Sequence, residues 1–243
     1  MNVGKMVMMD ALDAATGEFL FSVDTGVQNI ISAVDPKTGA KTFDPLQIPN
    51  PERALIVCPA AYGARSWPPT AYSPLTKFAY IPIAESCMSM TPTSDRREML
   101  SSGTKIGRVT HPDDTDGLYG RIQAIDLEKQ ELAWAVDQAV PPSTGLLTTG
   151  GGLLFSGDIE PSLKAFDDAT GELLWEGKLN QSPSSTVISY MANGKQYVAV
   201  VLGMSNNHIR DITSGYNLHA DQYDLEKRAK PENNASIRVF ALD

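Results

Sequence analysis

The chain has 243 residues, 42% of them hydrophobic and 20% charged, which fits a globular protein with a buried core and excludes a disordered polymer. A formal net charge of −9 argues against a nucleic-acid partner and leaves no polybasic face for anionic lipid. No apolar run reaches the roughly 18 residues of a spanning helix.

The first stretch, residues 1–17, holds a single lysine, Lys5, and reaches an acid already at Asp10. It lacks a long apolar core, so it does not read as a secretory signal. Taken alone it points to a cytoplasmic chain, or to one whose true start lies upstream. A repeated unit then begins. Ala11, Asp13, Thr16, Gly17 and Phe21 set the pattern Ala-x-Asp-x-x-Thr-Gly-x-x-x-aromatic, and Ala33 to Gly39 repeat its opening half. A strand is expected over Phe78 to Ile83, after the turn Ser73-Pro74-Leu75-Thr76-Lys77. Residues 91–118 are polar and read as a long loop.

The unit returns at Ala124, Asp126 and Trp134, with Lys129-Gln130 in place of Thr-Gly, and again at Ala165, Asp167, Thr170, Gly171 and Trp175. Between them Gly151 to Gly157 reads as a short apolar strand. Thr186 to Tyr190 and Gln196 to Leu202 flank Asn193-Gly194, a strong hairpin signal. Residues 204–235 read as a second long loop. Val239 to Asp243 repeat only the unit's first residues.

The unit has a physical reading. Ala-apolar-Asp ends a strand, and the aspartate caps a tight turn. Glycine supplies the positive φ, and the next strand ends in an aromatic that packs between sheets. Ala165 follows Ala124 by about one propeller blade, roughly 40–45 residues. The expectation is all-β, a β-propeller occupying residues 1–243.

The two cysteines, Cys58 and Cys87, form no CxxC pair and no cluster with histidine, so a zinc site is not indicated. From composition alone they read as free thiols more readily than as a bridge. His111, His208 and His219 are scattered through the two loops. Asp113 to Gly117 lacks the spacing of a calcium loop and reads as a solvated turn.

The repeated unit resembles the tryptophan-docking motif of dehydrogenases that use pyrroloquinoline quinone (PQQ). The junctions resemble the same family more specifically. Cys58-Pro59, Gly63, Ser66-Trp67-Pro68 and Ala71-Tyr72-Ser73-Pro74 follow its CP…G…NW.P…Y.P segment. Cys87-Met88, Thr148 to Asp158 and Asn193 to Val200 follow three more segments in order. On these the chain is identified as resembling the C-terminal half of a methanol/ethanol dehydrogenase-type quinoprotein.

The resemblance implies an eight-bladed propeller, of which this chain supplies a partial ring of about four to five blades, with an N-terminal half missing. It also implies periplasmic location, a Cys58–Cys87 disulfide, PQQ, and a calcium or lanthanide ion whose ligands lie outside this chain. The substrate would be an alcohol, and the electron acceptor a cytochrome c or a quinone.

Lys5 stands where the family has a Lys or Arg on the quinone oxygens, although a lone lysine near a terminus is ordinarily solvated. Ser66-Trp67 stands at an Asn-Trp that touches PQQ, Met204 near a Gly-Trp, and Ser143-Thr144-Gly145 at a Trp-Gly-Gly. Lys5, Ser66, Trp67 and Met204 are therefore the candidate cofactor-binding residues. The missing aromatics fit a bulkier or more polar substrate than methanol. No catalytic base is assignable within the chain. The alternatives are a noncatalytic PQQ-like scaffold, as in outer-membrane assembly factors, and a truncated, inactive fragment.

Overall fold

The computed structural model describes residues 1–109, 118–203 and 235–242. Nineteen strands and one 3-10 turn, Pro45–Gln47, account for its regular structure among these residues. The chain divides into two compact units, Met1–Ser66 with Glu85–Asp116, and Trp67–Ala84 with Gly117–Asp243.

The first unit holds three small sheets. β1 (Asn2–Val3), β2 (Met8–Leu12) and β3 (Phe19–Asp24) pair in that order, and β4 (Ile31–Val34) pairs with β5 (Lys41–Phe43). The third sheet uses β6 (Leu55–Val57), which pairs with β9 (Cys87–Pro92), which pairs in turn with β10 (Thr104–Val109).

The second unit holds β7 (Ala71–Tyr72), β8 (Phe78–Ala84), β11 (Gly120–Asp126) and β12 (Glu131–Gln138) in the order β12-β11-β8-β7. β13 (Leu147–Thr148), β14 (Leu153–Asp158), β15 (Ser162–Asp167) and β16 (Leu173–Lys178) form a meander. β17 (Ile188–Ala192), β18 (Lys195–Leu202) and β19 (Ser236–Leu242) form a last sheet. All these pairings are antiparallel.

The repeated turn forms as its residues dictate. Asp167 Oδ1 accepts from the Ala169 and Thr170 amides at 3.0 and 2.8 Å and from Thr170 Oγ1 at 3.0 Å, and Gly171 takes φ 77°. Asp13 does the same with Ala15 and Thr16, and Asp35 with Lys37 and Thr38. At Asp126 the glycine's place falls to Gln130, which takes φ 61°. The Thr170 hydroxyl, then the amides, at Asp167, and the amide donors at Asp13, Asp35 and Asp126, hold these carboxyls below the usual carboxylate range. The Ser73–Lys77 turn closes the same way, with the Lys77 amide on Ser73 O at 2.9 Å and Lys77 at φ 63°.

Packing between sheets follows the period of two. One face of the β13–β16 sheet sends Leu154 and Phe166 into a core with Tyr80, Ile122, Ala124 and Leu146. Its other face sends Phe155, Leu163 and Ala165 against Val187, Val198, Val200 and Leu202 of the last sheet. Trp134 reaches across the first of these contacts. Its Nε1 donates to Asp168 O at 3.2 Å, and a Cβ at Gly171 would come within 2.8 Å of the indole. Tyr80 donates to the same carbonyl at 2.8 Å. In the first unit Phe19 lies over Gly39 in the same manner.

Two expectations need correction. The loop over 91–118 contains a strand: β10 pairs with β9 along its length, from Thr104 opposite Pro92 to Val109 opposite Cys87. Its hydrophobic pattern is weak, with Ile106 43% exposed, so register comes from the turn at Gly103 (φ 74°) rather than from alternation. The docking aromatics also stand inside strands instead of ending them, since β12 runs past Trp134 to Gln138 and β16 runs past Trp175 to Lys178. The second expected loop, 204–235, lies outside the described residues apart from Ala235.

Candidate functional site

The segment after β6 is the most constrained irregular stretch of the first unit. Cys58 and Cys87 are bridged, with Cα atoms 4.3 Å apart. They extend a pairing already set by β6 and β9, in which Val57 opposes Met88. Asn29 clamps the start of the segment. Its Oδ1 accepts from the Cys58 amide at 2.9 Å, its Nδ2 donates to Ile56 O at 3.0 Å, and its amide donates to Cys58 O at 3.2 Å. The Ala60 amide then donates to Ser86 O at 3.0 Å, and the Gly63 amide to Ala60 O at 2.7 Å.

This turn rests on Lys5. Gly63 has φ 85°, and a Cβ there would come 2.7 Å from Lys5 Cβ and 2.8 Å from Lys5 Cγ. Glycine is required both for the backbone and for the lysine stem lying against it. The Ala64 amide donates to Lys5 O at 3.0 Å, and Lys5 Nζ donates to Ala61 O at 3.3 Å. The following residue, Arg65, donates through its guanidinium to Val3 O on β1. The structure therefore brings Lys5 onto the segment that carries Ser66, across about sixty residues of sequence.

Lys5 is exposed and Ser66 half-buried. Trp67 opens the second unit and is 38% exposed, so it is not a core aromatic. Met204 lies outside the described residues, as do His111, His208, His219 and Asp113 to Gly117. Burial pushes the Arg65 guanidinium down from its ordinary value. Sequence reading passed over Arg65. Its signal was an arginine set among small residues, next to a position already singled out.

In the second unit Ser143, Thr144 and Gly145 are buried. Ser143 Oγ donates to Pro183 O at 2.6 Å, and Thr144 Oγ1 accepts from the Gly157 amide at 2.8 Å. Gly145 lies against Pro69, whose Cδ would be 2.5 Å from an added Cβ. These side chains tie the segment to the backbone at Pro183 and Gly157. Nearby, Asp158 is buried and pairs with Lys164 at 2.6 Å and Ser162 at 3.0 Å. Burial outweighs the lysine and pushes its carboxyl up to about 6.

A planar quinone carrying carboxylates requires cations and hydrogen-bond donors. Lys5, Arg65 and Ser66 offer both around one turn, so the donor chemistry fits such a group. Among the described residues no group of three or more His, Cys, Asp or Glu side chains comes together.

Short antiparallel sheets stacked face to face, joined by docked aromatics, define a β-propeller protein, here with a disulfide-held loop seated on a lysine. A family model described as PQQ, "Glucose/ethanol/alcohol dehydrogenase, beta-propeller domain", matches residues 33–198. The dehydrogenase subunit of a quinone-type alcohol dehydrogenase from Gluconacetobacter polyoxogenes is 32% identical over 204 residues, 79% of this chain and 28% of that protein. The lanthanide-dependent methanol dehydrogenase of Methylorubrum extorquens is 31% identical over 205 residues, 79% of this chain and 34% of that protein.

Among solved structures, the quinohemoprotein alcohol dehydrogenase ADHIIG from Pseudomonas putida HK5 matches with a TM-score of 0.72 at 27% identity, covering 84% of this chain and 32% of its own. A europium-containing methanol dehydrogenase shares the fold, with a TM-score of 0.80 at 21% identity over 98% of this chain and 44% of its own. The chain belongs to the PQQ dehydrogenase β-propeller family. It spans 28–34% of the length of these curated relatives.

Proposed function

We propose that this chain is one part of a periplasmic, PQQ-dependent alcohol dehydrogenase and supplies the cationic side of its cofactor site. The observation that carries this is the exposed Lys5 ammonium, whose stem lies against the Gly63 turn of the disulfide-held segment. PQQ, when bound, takes up the electron pair released as an alcohol is oxidised. Lys5 would then donate to a quinone oxygen and stabilise the negative charge that develops there. Ser66 adds a hydroxyl donor of short reach, and Trp67 an exposed indole face.

Relatives named as a quinone-type alcohol dehydrogenase subunit and as a cytochrome c-linked hydroxylase support a quinone or a cytochrome c as electron acceptor. The disulfide is in keeping with an oxidising compartment. Among the described residues no carboxylate pairs with Lys5. The base that takes the alcohol proton, and the ligands of a calcium or lanthanide ion, are therefore proposed to come from further propeller segments of the holoenzyme.

The test is dye-linked ethanol oxidation with PQQ and calcium. The chain alone should be inactive, and the chain joined to the complementary segments of a relative should be active. Lys5→Ala in the joined protein should lower the rate by about 10²–10³, the scale set by loss of a key oxyanion donor. Full activity in Lys5→Ala would remove the lysine from the site. Turnover by the chain alone would show that the base lies within it.

A further inference from the structure

The charge of Arg65 is not balanced within the fold. Its guanidinium is half-buried and donates to a single neutral acceptor, Val3 O. Its Nε is shielded from solvent and has no hydrogen-bond partner. Among the described residues no carboxylate forms an ion pair with it. A guanidinium remains protonated under all ordinary conditions, so burial does not neutralise it. A desolvated charge answered only by a carbonyl is an unfavourable arrangement unless an anion completes it.

The position of the residue suggests which anion. Arg65 and Lys5 flank the same glycine: a Cβ on Gly63 would lie 2.7 Å from Lys5 Cβ and 2.9 Å from Arg65 O. The Lys5 ammonium likewise meets only a neutral acceptor, Ala61 O. The short 61–65 segment thus carries one cation, Arg65, and receives the other, Lys5, at Ala61 O. The end of the segment is fixed to the β1 side of the unit by two adjacent contacts, the Ala64–Lys5 and Arg65–Val3 bonds. Arginine's planar fork suits a carboxylate in two-point contact, whereas lysine is a point charge. A ligand with one carboxylate at Arg65 and a further oxygen at Lys5 would answer both charges.

We propose that Arg65 is a carboxylate-binding residue of this site, forming with Lys5 a two-cation seat for a planar polycarboxylate. The proposal rests on the PQQ reading for the ligand's name, but its chemistry does not. Ser66 has a short side chain with one hydroxyl, so the preceding arginine supplies the longer reach and the charge.

The experiment is calorimetric titration of the full 243-residue chain with three probes: PQQ, its trimethyl ester, and benzene-1,2,4-tricarboxylate. Arg65→Gln keeps a donor for Val3 O and removes the charge. Arg65→Lys keeps the charge and removes the fork. Thermal melting of both variants checks folding, and if Arg65→Gln does not fold, Arg65→Lys carries the test.

The wild-type chain should prefer PQQ over the ester by at least tenfold. Arg65→Gln should lose that preference with ester binding unchanged, and Arg65→Lys should retain part of it. An unchanged acid-over-ester preference in a folded Arg65→Gln protein, or full preference in Arg65→Lys if only that variant folds, overturns the proposal. So does the absence of binding by any probe. If the benzene tricarboxylate binds in an Arg65-dependent way and PQQ binds no better, the seat stands and the PQQ reading falls.

Discussion

Gly171→Ala tests the docking geometry that links the sheets of the second unit. The methyl group would meet Trp134 Cε3 and Val136 Cγ2, each at 2.8 Å, and Trp134 Cδ2 at 3.1 Å. The backbone there has φ 77°, which costs a non-glycine residue about 1–2 kcal/mol. Pushing the indole aside adds about 1–3 kcal/mol of overpacking and strains the Trp134 bond to Asp168 O. The expected loss is therefore about 2–5 kcal/mol. Gly194→Ala is the control, because Gly194 also has φ 77° and lies in the same unit, but an added Cβ meets nothing within 4 Å. It should lose only the backbone share. Urea unfolding followed by tryptophan fluorescence compares the two midpoints at unchanged slope. Equal losses in the two variants would show that Trp134 does not dock on Gly171 with any energetic consequence.

The disulfide closes a separation of 29 residues, which corresponds to about 3–4 kcal/mol in the chain-entropy treatment. Cys58→Ala with Cys87→Ala should lower the urea midpoint accordingly, and thiol titration of the oxidised, denatured wild type should find no free thiol. Asp158 predicts a pH effect of definite sign. Its folded pKa is raised to about 6, so its contribution to stability is full below about pH 4, the ordinary unfolded value. It is lost as pH rises through 6, by something on the order of 2–3 kcal/mol. The groups acting on it are Lys164, Ser162 and Glu160. Asp158→Asn should flatten the slope of stability between pH 4 and 6.5, and an unchanged slope would assign it elsewhere. The turn aspartates act in the opposite sense. Their depressed values give stability above the ordinary carboxylate range that is lost only in stronger acid.

Sequence made the strands legible wherever a turn signal and a period of two coincided. Asn193-Gly194, both at positive φ, and the Asp167 turn are examples, and the docking of Trp134 followed from them. β10 was not legible, because neither face of Lys105-Ile106-Gly107 is apolar enough to announce a strand. Its pairing with the preceding strand, β9, through the turn at Gly103 decides the matter. Lys5 and Ser66 were legible only through resemblance, since nothing local to Lys5 reports the Gly63 turn that receives its stem. Arg65 was missed because its significance is a missing partner, and a missing partner exists only in three dimensions.

The same contrast explains where chemistry can reside in this fold. The repeated turns at Asp13, Asp35, Asp126 and Asp167 spend their carboxylates on their own amides, which leaves little capacity for a ligand. The segment from Cys58 to Ser66 departs from the repeat and is held instead by a cross-link, by Asn29 and by Lys5. Cationic side chains can stand there unmatched without the loop collapsing around them. The Ser143-Thr144-Gly145 segment departs from the repeat as well, but its hydroxyls are bonded to Pro183 O and the Gly157 amide, and Pro69 lies against Gly145. Small residues there do not amount to an open polar pocket.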